Sequence, residues 1–300
     1  MKIGILVPVW RDYQHIAPLS KRLIERYWKG HPEIWFCGLE VADNPELNII
    51  SMAPETERGN WTQVLYDGVQ GMISRGYDLI YLIAEEHVPL APCHTVHLND
   101  TIPSLMKQLC ARYISLMGWD NRRYVSKSPV LSDEFFGLKH LSGDHDARFH
   151  LHPALWDAEV LLTCCKVALA SSSANGSAWN FEKTLDKPNA SLSEDWKSQC
   201  YQIRASEMSV HRQGITASIL RWLDCVVYHK LMAVIPLLPD QWVTPYVRTI
   251  PFDDVYCDGP YPMFFSGIMA KGAVNPYFKK FLMGQNPSLW EEIATVVTSK

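Results

Sequence analysis

The sequence lacks the features that mark nucleic-acid-binding and membrane-spanning proteins. Its 28 Lys and Arg residues are offset by 32 Asp and Glu residues, and they form no basic stripe. A protein that neutralises many phosphates along a nucleic acid needs such a stripe, so we expect no nucleic-acid partner. The most apolar late stretch, 231–238, has eight residues, whereas a membrane-spanning helix needs about 20. The sequence therefore predicts no transmembrane segment.

Zinc-binding and disulfide-rich patterns are also missing. The eight cysteines are scattered, with no Cys-x-x-Cys motif and one adjacent pair, Cys164 and Cys165. This spacing is typical of buried, reduced thiols in a cytoplasmic protein. The first ten residues, MKIGILVPVW, lack the cleavage pattern of a signal peptide. They indicate a first strand instead.

Several motifs of nucleotide-binding and hydrolytic enzymes do not occur. The chain has no GxGxxG after its first strand, no GxxxxGK[ST], no GxSxG and no HExxH. The first three absences argue against a NAD-dependent dehydrogenase, a P-loop NTPase and an α/β-hydrolase, because each class depends on the backbone geometry of the corresponding loop.

The first half of the chain alternates between strand and helix patterns. Continuous apolar runs, typical of strands buried on both faces, occupy residues 2–9, 33–39 and 78–84. Helical periodicity separates them, and Asn60 is the predicted N-cap of the second helix. This order predicts an α/β fold with a mostly parallel, Rossmann-like sheet flanked by helices. We place one domain at 1–192 and an irregular helical extension at 193–300, which we expect to pack on or cap the cleft.

Polar side chains follow two of the predicted strands. The first strand is followed by Pro8, Val9, Trp10, Arg11 and Asp12, and the strand at 78–84 by Glu85, Glu86 and His87. Ligands of open parallel sheets bind at the carboxyl ends of the strands. Two adjacent acids against an apolar sheet repel each other unless a positive charge is present, and they can hold a divalent cation and, through it, a diphosphate. The alternative is that both glutamates are merely solvated.

The order of four segments resembles bacterial glycosyltransferases of the GT-A type, in particular those of surface-polysaccharide biosynthesis. The segments are VPVWRDY (7–13), YLIAEEH (81–87), FHLHPALWD (149–157) and WNFEK (179–183). The resemblance covers residues 1–190. It implies a nucleotide-sugar donor bound across the first strand ends and a glycan or lipid-linked acceptor whose hydroxyl is activated by a carboxylate. It also implies a cytoplasmic protein, or one peripheral to the inner membrane.

By this resemblance, the donor site includes Pro8–Asp12, Asp43, Asn44 and the pair Glu85–Glu86. The glutamates take the place of the family's metal-binding Asp-x-Asp motif, so bound Mn²⁺ or Mg²⁺ is the implied cofactor. The sequence departs from the motif here, because it has Glu-Glu where the family has Asp-x-Asp. A literal Asp-x-Asp occurs at 144–146, and we interpret it as a turn.

The acceptor side of the cleft is predicted from aromatic and imidazole side chains. Residues 147–153 alternate like a strand, which places His150 and His152 on one side of it, where they can line a cleft with His87. Trp156 and Trp179 either stack on a sugar or base or fill the core.

Glu182 is the predicted catalytic base if the reaction inverts configuration, chiefly because of the resemblance. Asn180 is the predicted N-cap of a helix beginning near Phe181. A carboxylate in the first helical turn is favoured in its ionised form, which is the form that a general base needs. The alternative is that Glu182 only stabilises the start of its own helix.

Two other functions remain open at this stage. A nucleotidyltransferase shares a similar sheet and an acidic metal site, although its glycine- and lysine- or arginine-bearing first loop is absent. A non-catalytic carbohydrate- or nucleotide-binding protein would use the aromatic residues without chemistry. The sequence leaves the sugar, nucleotide and acceptor unspecified.

Overall fold

A computed structural model describes most of the first two thirds of the chain and its C-terminal end. The described residues are 1–41, 44–53, 56, 59–116, 138–141, 149, 151–171, 177–185, 199–203, 256–257, 259–264, 267–270 and 272–298. The strands are β1 (Ile3–Pro8), β2 (Glu33–Cys37), β3 (Leu79–Leu82), β4 (Tyr113–Ser115), β5 (Leu138–His140), β6 (Ala154–Asp157), β7 (Cys200–Ile203), β8 (Tyr256–Cys257), β9 (Met263–Phe264), β10 (Met269–Ala270) and β11 (Ala273–Val274). The α-helices are α1 (Ala17–Tyr27), α2 (Trp61–Ser74), α3 (Ile102–Gln108), α4 (Ala158–Ala170), α5 (Ala178–Leu185), α6 (Pro276–Gln285) and α7 (Pro287–Val297).

The main sheet is mixed but mainly parallel. Its strand order is β2-β1-β3-β6-β4-β7-β5. β2, β1 and β3 are parallel neighbours, and so are β4 and β7, whereas β6 is antiparallel to β3 and β4, and β5 is antiparallel to β7. The fold is therefore α/β, with most strands running in one direction, as the sequence predicts. The three predicted strands at 2–9, 33–39 and 78–84 correspond to β1, β2 and β3, which are neighbours in this sheet. This prediction is confirmed.

Helices cover both faces of this sheet because β1 is apolar on both sides. Ile5 and Val7 are fully buried in a cluster with α1 and α3 on one face. Leu6, between them, is buried on the other face with α2, α4 and α5. Side chains alternate across a strand, so a continuous apolar run fits only a strand with a layer on each side.

The start of α2 follows the predicted capping chemistry. The Asn60 side chain accepts a hydrogen bond from the Gln63 N–H at 3.2 Å. This bond satisfies one of the N–H groups that a helix leaves unpaired at its start. The prediction of Asn60 as N-cap is confirmed. The bond sets the residue at which α2 begins, Trp61.

Two local predictions are wrong. The strand expected at 147–153 is not formed by the described residues of that range, because Phe149 and Leu151–Pro153 are bends. The strand of this region is β6, whose residues 154–157 pair with β3 and β4. The helix expected to begin near Phe181 begins at Ala178. The Asn180 N–H donates to the Ser177 hydroxyl at 3.3 Å, so Asn180 lies inside the helix and is not its cap.

The C-terminal end packs against the first helix of the chain. Arg26 of α1 makes two bonds of 2.6 and 2.9 Å to Glu292 of α7. The predicted boundary after residue 192 lies outside the described residues, and β7, which follows it, pairs with β4 and β5 in the main sheet. The division into two domains stays a prediction. Each helix within the described ranges falls short of the length or apolar character that a bilayer crossing requires.

Replacing Asn60 tests the capping interaction. Asn60→Ala removes the acceptor of the Gln63 N–H, and we expect it to lower the free energy of unfolding by about 1 kcal/mol, measured by urea denaturation. Asn60→Asp keeps an acceptor at the same place and is the control. An equal loss in both variants would show that the cap contributes nothing to stability.

Candidate functional site

The candidate site lies at the sheet edge where β1 and β3 end. Because these strands are parallel neighbours, the turn after β1 and the loop after β3 emerge at the same edge. β6 runs in the opposite direction beside β3, with Ala154 opposite Leu82. The residues that precede β6 therefore reach this edge too. The edge combines segments from three separate parts of the chain.

Glu85 joins the two strand ends. Its Oε1 accepts the backbone N–H of Trp10 at 3.0 Å, and the Ser20 hydroxyl donates to its backbone carbonyl. The Glu85 side chain is only 3% exposed. Burial raises the pKa of Glu85 to about 7, and the Trp10 N–H partly opposes this rise. Glu85 is thus a buried acid that holds the turn after β1 in place.

Glu86 is the second member of the acid pair. Burial, followed by repulsion from Glu85, raises its pKa to about 8. The backbone carbonyl of Glu86 accepts the Ile268 N–H at 3.0 Å, a contact with the C-terminal part of the chain. Near neutral pH, the pair therefore holds protons more tightly than ordinary glutamates, unless a cation compensates its negative charge.

His87 connects this loop to the segment before β6. Its ring lies 5.0 Å from the ring of His152, centroid to centroid. The carbonyl of His87 accepts a hydrogen bond of 3.0 Å from the Tyr261 hydroxyl. The structure thus brings together two of the three predicted acceptor-side histidines. His150 lies outside the described residues.

Glu182 reaches the same edge from α5. Its Oε1 accepts the N–H of Leu151 at 2.7 Å, and Leu151 immediately precedes His152. Because α5 begins at Ala178, Glu182 lies beyond the first turn, so the expected stabilisation of its ionised form by the helix start is wrong. The hydrogen bond from the Leu151 N–H instead holds the carboxylate at this edge.

The turn after β1 presents its polar groups at the surface. The Trp10 indole N–H donates to Asp12 Oδ2 at 3.3 Å, and Arg11 lies 3.6 Å from Asp12. Both charged side chains are more than half exposed. Pro8 and Val9 are buried, and the Val9 N–H donates to the Cys37 carbonyl at 2.9 Å, so neither presents a group at the surface of the site.

The other predicted site residues have mixed outcomes. Trp156 is fully buried between Tyr113 and Phe149, at ring distances of 4.6 and 5.4 Å. A stacking role for Trp156 is therefore wrong, because the side chains of α2, α4 and α5 packed on the same face leave no surface for a ligand. Asn44 donates to the Glu40 carbonyl at 3.1 Å. Asp43, the Asp-x-Asp at 144–146 and the Trp179 side chain lie outside the described residues.

Sequence reasoning missed residues that the fold adds to this edge. Tyr13 is half-buried, and its pKa is raised by burial and by the carboxylates of Glu86, Glu85 and Asp12. Tyr13 closes the segment VPVWRDY that follows the first strand, so its place in the sequence could have indicated a position at this edge. Gly267 packs against Glu86, and no local pattern could have indicated it.

The described residues supply few candidate ligands for a metal ion. In those ranges, no three or more His, Cys, Asp or Glu side chains are grouped in a way that could hold one. Glu85 and Glu86 provide carboxylate oxygens, the ligand type that Mg²⁺ and Mn²⁺ prefer. An ion bound there would take its remaining ligands from elsewhere, such as water or a phosphate. The expected metal stays a prediction.

Comparisons with known proteins give only a distant structural likeness. No model of a protein family matches the sequence, and no curated protein matches it either. The chain is similar to the structure of S. aureus TarS, with 13% identity and a TM-score of 0.36, over 71% of this chain and 39% of that one. It is also similar to S. aureus TarS 1–349 in complex with UDP-GlcNAc, with 12% identity and a TM-score of 0.34, over 73% and 61% of the two chains. The corresponding UDP complex has 13% identity and a TM-score of 0.35, over 84% and 81%. At these TM-scores and identities the likeness supports no conclusion about the activity of this chain.

The buried acid pair predicts a stability that depends on pH. Burial raises the pKa of Glu86 from 4.5 to about 8, so the folded state binds this proton more tightly than the unfolded state. The resulting stabilisation is complete below about pH 4.5 and is lost as the pH rises through about 8. We expect the melting temperature, measured with EDTA present, to fall between about pH 5 and about pH 8.5. It should fall less in Glu86→Gln, which cannot ionise.

The matched control for this prediction is Glu291→Gln, on an exposed position of α7. This variant should keep the pH slope of the wild-type protein. Identical slopes in the wild-type protein and in Glu86→Gln would contradict the assignment of the pH dependence to Glu86.

Proposed function

We propose that the protein is a glycosyltransferase that moves a sugar from a nucleotide-sugar donor to a glycan or lipid-linked acceptor. The observation that supports it best is the meeting of Trp10, Glu85 and Glu86 at the carboxyl edge of adjacent parallel strands. That edge is where open α/β sheets bind nucleotides. A transferase that inverts configuration also needs a general base near the acceptor, and Glu182 lies at the same edge.

Each group has a defined task in this proposal. The exposed turn Trp10–Asp12 contacts the nucleotide, with Arg11 placed to meet a phosphate. A Mn²⁺ or Mg²⁺ ion at Glu85 and Glu86 would neutralise the diphosphate leaving group. Glu182 accepts the proton of the acceptor hydroxyl as that oxygen attacks the anomeric carbon, if the reaction inverts configuration. His87 and His152 form the wall between the donor and acceptor sides.

A panel of ligands tests the substrate class by thermal shift. Stabilisation by nucleotide sugars and nucleoside diphosphates, including UDP-GlcNAc and UDP, is expected because a ligand that binds only the folded state raises its melting temperature. A response to nucleoside triphosphates alone would favour a nucleotidyltransferase instead. A response to free glycans alone would favour a carbohydrate-binding protein, and both outcomes would contradict the proposal.

The acid pair is tested by a double substitution. Glu85→Gln with Glu86→Gln keeps the size of both side chains, and the amide oxygen introduced at position 85 can still accept the Trp10 N–H. We expect folding to persist while nucleotide affinity in the presence of Mn²⁺ falls by about tenfold or more, measured by calorimetry. The double variant should also lose the difference in affinity between Mn²⁺ and EDTA buffers. If its affinity is unchanged, the pair does not contact the donor.

Glu182→Gln separates a catalytic role from a structural one. The amide oxygen introduced at position 182 can still accept the Leu151 N–H, so we expect the melting temperature and donor affinity to change little. Loss of the base should lower kcat by about two to four orders of magnitude. The transfer assay uses the nucleotide sugar that gives the largest thermal shift. Glu159→Gln, exposed on α4, is the control. Activity of Glu182→Gln within a few-fold of wild type would leave Glu182 as an anchor for Leu151 only.

A further inference from the structure

The C-terminal strap, defined as the described residues between 259 and 275, contacts both loops of the candidate site. The Ile268 N–H donates to the carbonyl of Glu86 at 3.0 Å, and the Tyr261 hydroxyl donates to the carbonyl of His87 at 3.0 Å. The Gly272 N–H donates to the hydroxyl of Tyr13 at 3.1 Å. The strap therefore binds the loop after β3 and the turn after β1 at the same time.

Apolar packing fixes the strap against this edge. Phe264, Ile268 and Met269 are almost completely buried in one cluster with α1 and with Val88. A further backbone hydrogen bond of 2.9 Å joins the Leu90 N–H to the Pro262 carbonyl. Burying these side chains favours one position of the strap. The strap therefore forms one side of the candidate site.

Gly267 lies against the side chain of Glu86. It has a φ of +72°, in the left-handed region that favours glycine. A Cβ at this position would lie 2.8 Å from Cδ and 2.9 Å from Cγ and Oε2 of Glu86. The buried amide of Asn275 donates to the Gly267 carbonyl at 3.1 Å, which holds the backbone in this place. A side chain at 267 would have to displace either the strap or the Glu86 carboxylate.

We infer that Gly267 is a positioning residue of the site, and that the C-terminal strap uses its bare backbone to fix the carboxylate of Glu86 beside Glu85. The strap thereby makes the site composite, since the acid pair comes from the loop after β3 and its supporting wall from the C-terminal part of the chain. Tyr13 completes the wall by joining the strap to the turn after β1.

The consequence for ligand binding rests on the proposed function. If Glu86 contributes to the donor site, moving its carboxylate by the width of a methyl group weakens nucleotide binding, because ligand contacts depend on distances held to a fraction of an ångström. The position of Glu86 itself does not depend on any assumed activity. The contact between Gly267 and Glu86 can therefore be tested separately from the contribution of Glu86 to nucleotide binding.

A double-mutant cycle tests the contact without any ligand. Gly267→Ala is introduced into the wild-type chain and into Glu86→Ala, which lacks the Cγ, Cδ and Oε2 atoms that the new methyl group would meet. We expect Gly267→Ala to lower the melting temperature by about 2–4 °C more in the wild-type chain than in Glu86→Ala. If Gly267→Ala alone does not fold, the double variant should. Equal losses in both backgrounds, or failure of the double variant to fold, would overturn the inference.

Gly76→Ala controls for backbone strain. Gly76 has a φ of +78° and would place its Cβ in open space, so its cost should be the same with and without Glu86. The last measurement is nucleotide affinity with Mn²⁺, which should fall by about tenfold in Gly267→Ala and stay unchanged in Gly76→Ala. Suppose that the effect of Gly267→Ala on the melting temperature depends on Glu86, but the wild-type protein binds no nucleotide. That result would refute the proposed function and leave the positioning role of Gly267 intact. If the effect on the melting temperature depends on Glu86 but Gly267→Ala binds nucleotide as tightly as the wild-type protein, Gly267 has no role in the donor site.

Discussion

The buried carboxylate of Glu85 is the interaction on which the rest of the site depends. It accepts the Trp10 N–H where two adjacent parallel strands, β1 and β3, come to an end. Burying a carboxylate is costly unless hydrogen bonds or charges compensate it. The Trp10 N–H therefore lowers the cost of burying the ionised form of Glu85, and it provides this bond only while the turn after β1 is in place. The turn and the loop that carries Glu86 and His87 form a single unit.

The antiparallel strand β6 extends this unit across the sheet. Because β6 runs opposite to β3, the chain that leads into it arrives at the carboxyl edge. His152 then meets His87, and Leu151 binds Glu182 of α5. A parallel strand in the same place would begin at the opposite edge, far from the acid pair. One reversed strand thus brings residues from the middle of the chain to the edge that carries the acid pair.

Two of the sequence predictions that fail, the helix cap at Asn180 and the stacking role of Trp156, have a common cause. Ser177 and Asn180 are both good N-cap residues, and the structure uses Ser177, with Phe181 packed on Trp61 at a ring distance of 6.0 Å. A tryptophan can stack on a ligand or fill a core, and Trp156 is buried because α2, α4 and α5 cover the face of the sheet that carries it. In each case the local pattern allows two outcomes, and packing with distant segments selects one.

The sequence by itself determined the strands β1 to β3, the cap of α2 and the acid pair at the end of β3, because apolar periodicity and capping are properties of neighbouring residues. Only the tertiary structure decided that Glu182 and Gly267 lie at the same edge as that pair. It also decided that Glu85 bonds to Trp10. These contacts join residues far apart in the chain, and their free energy depends on how the sheet orders its strands, which no local pattern records.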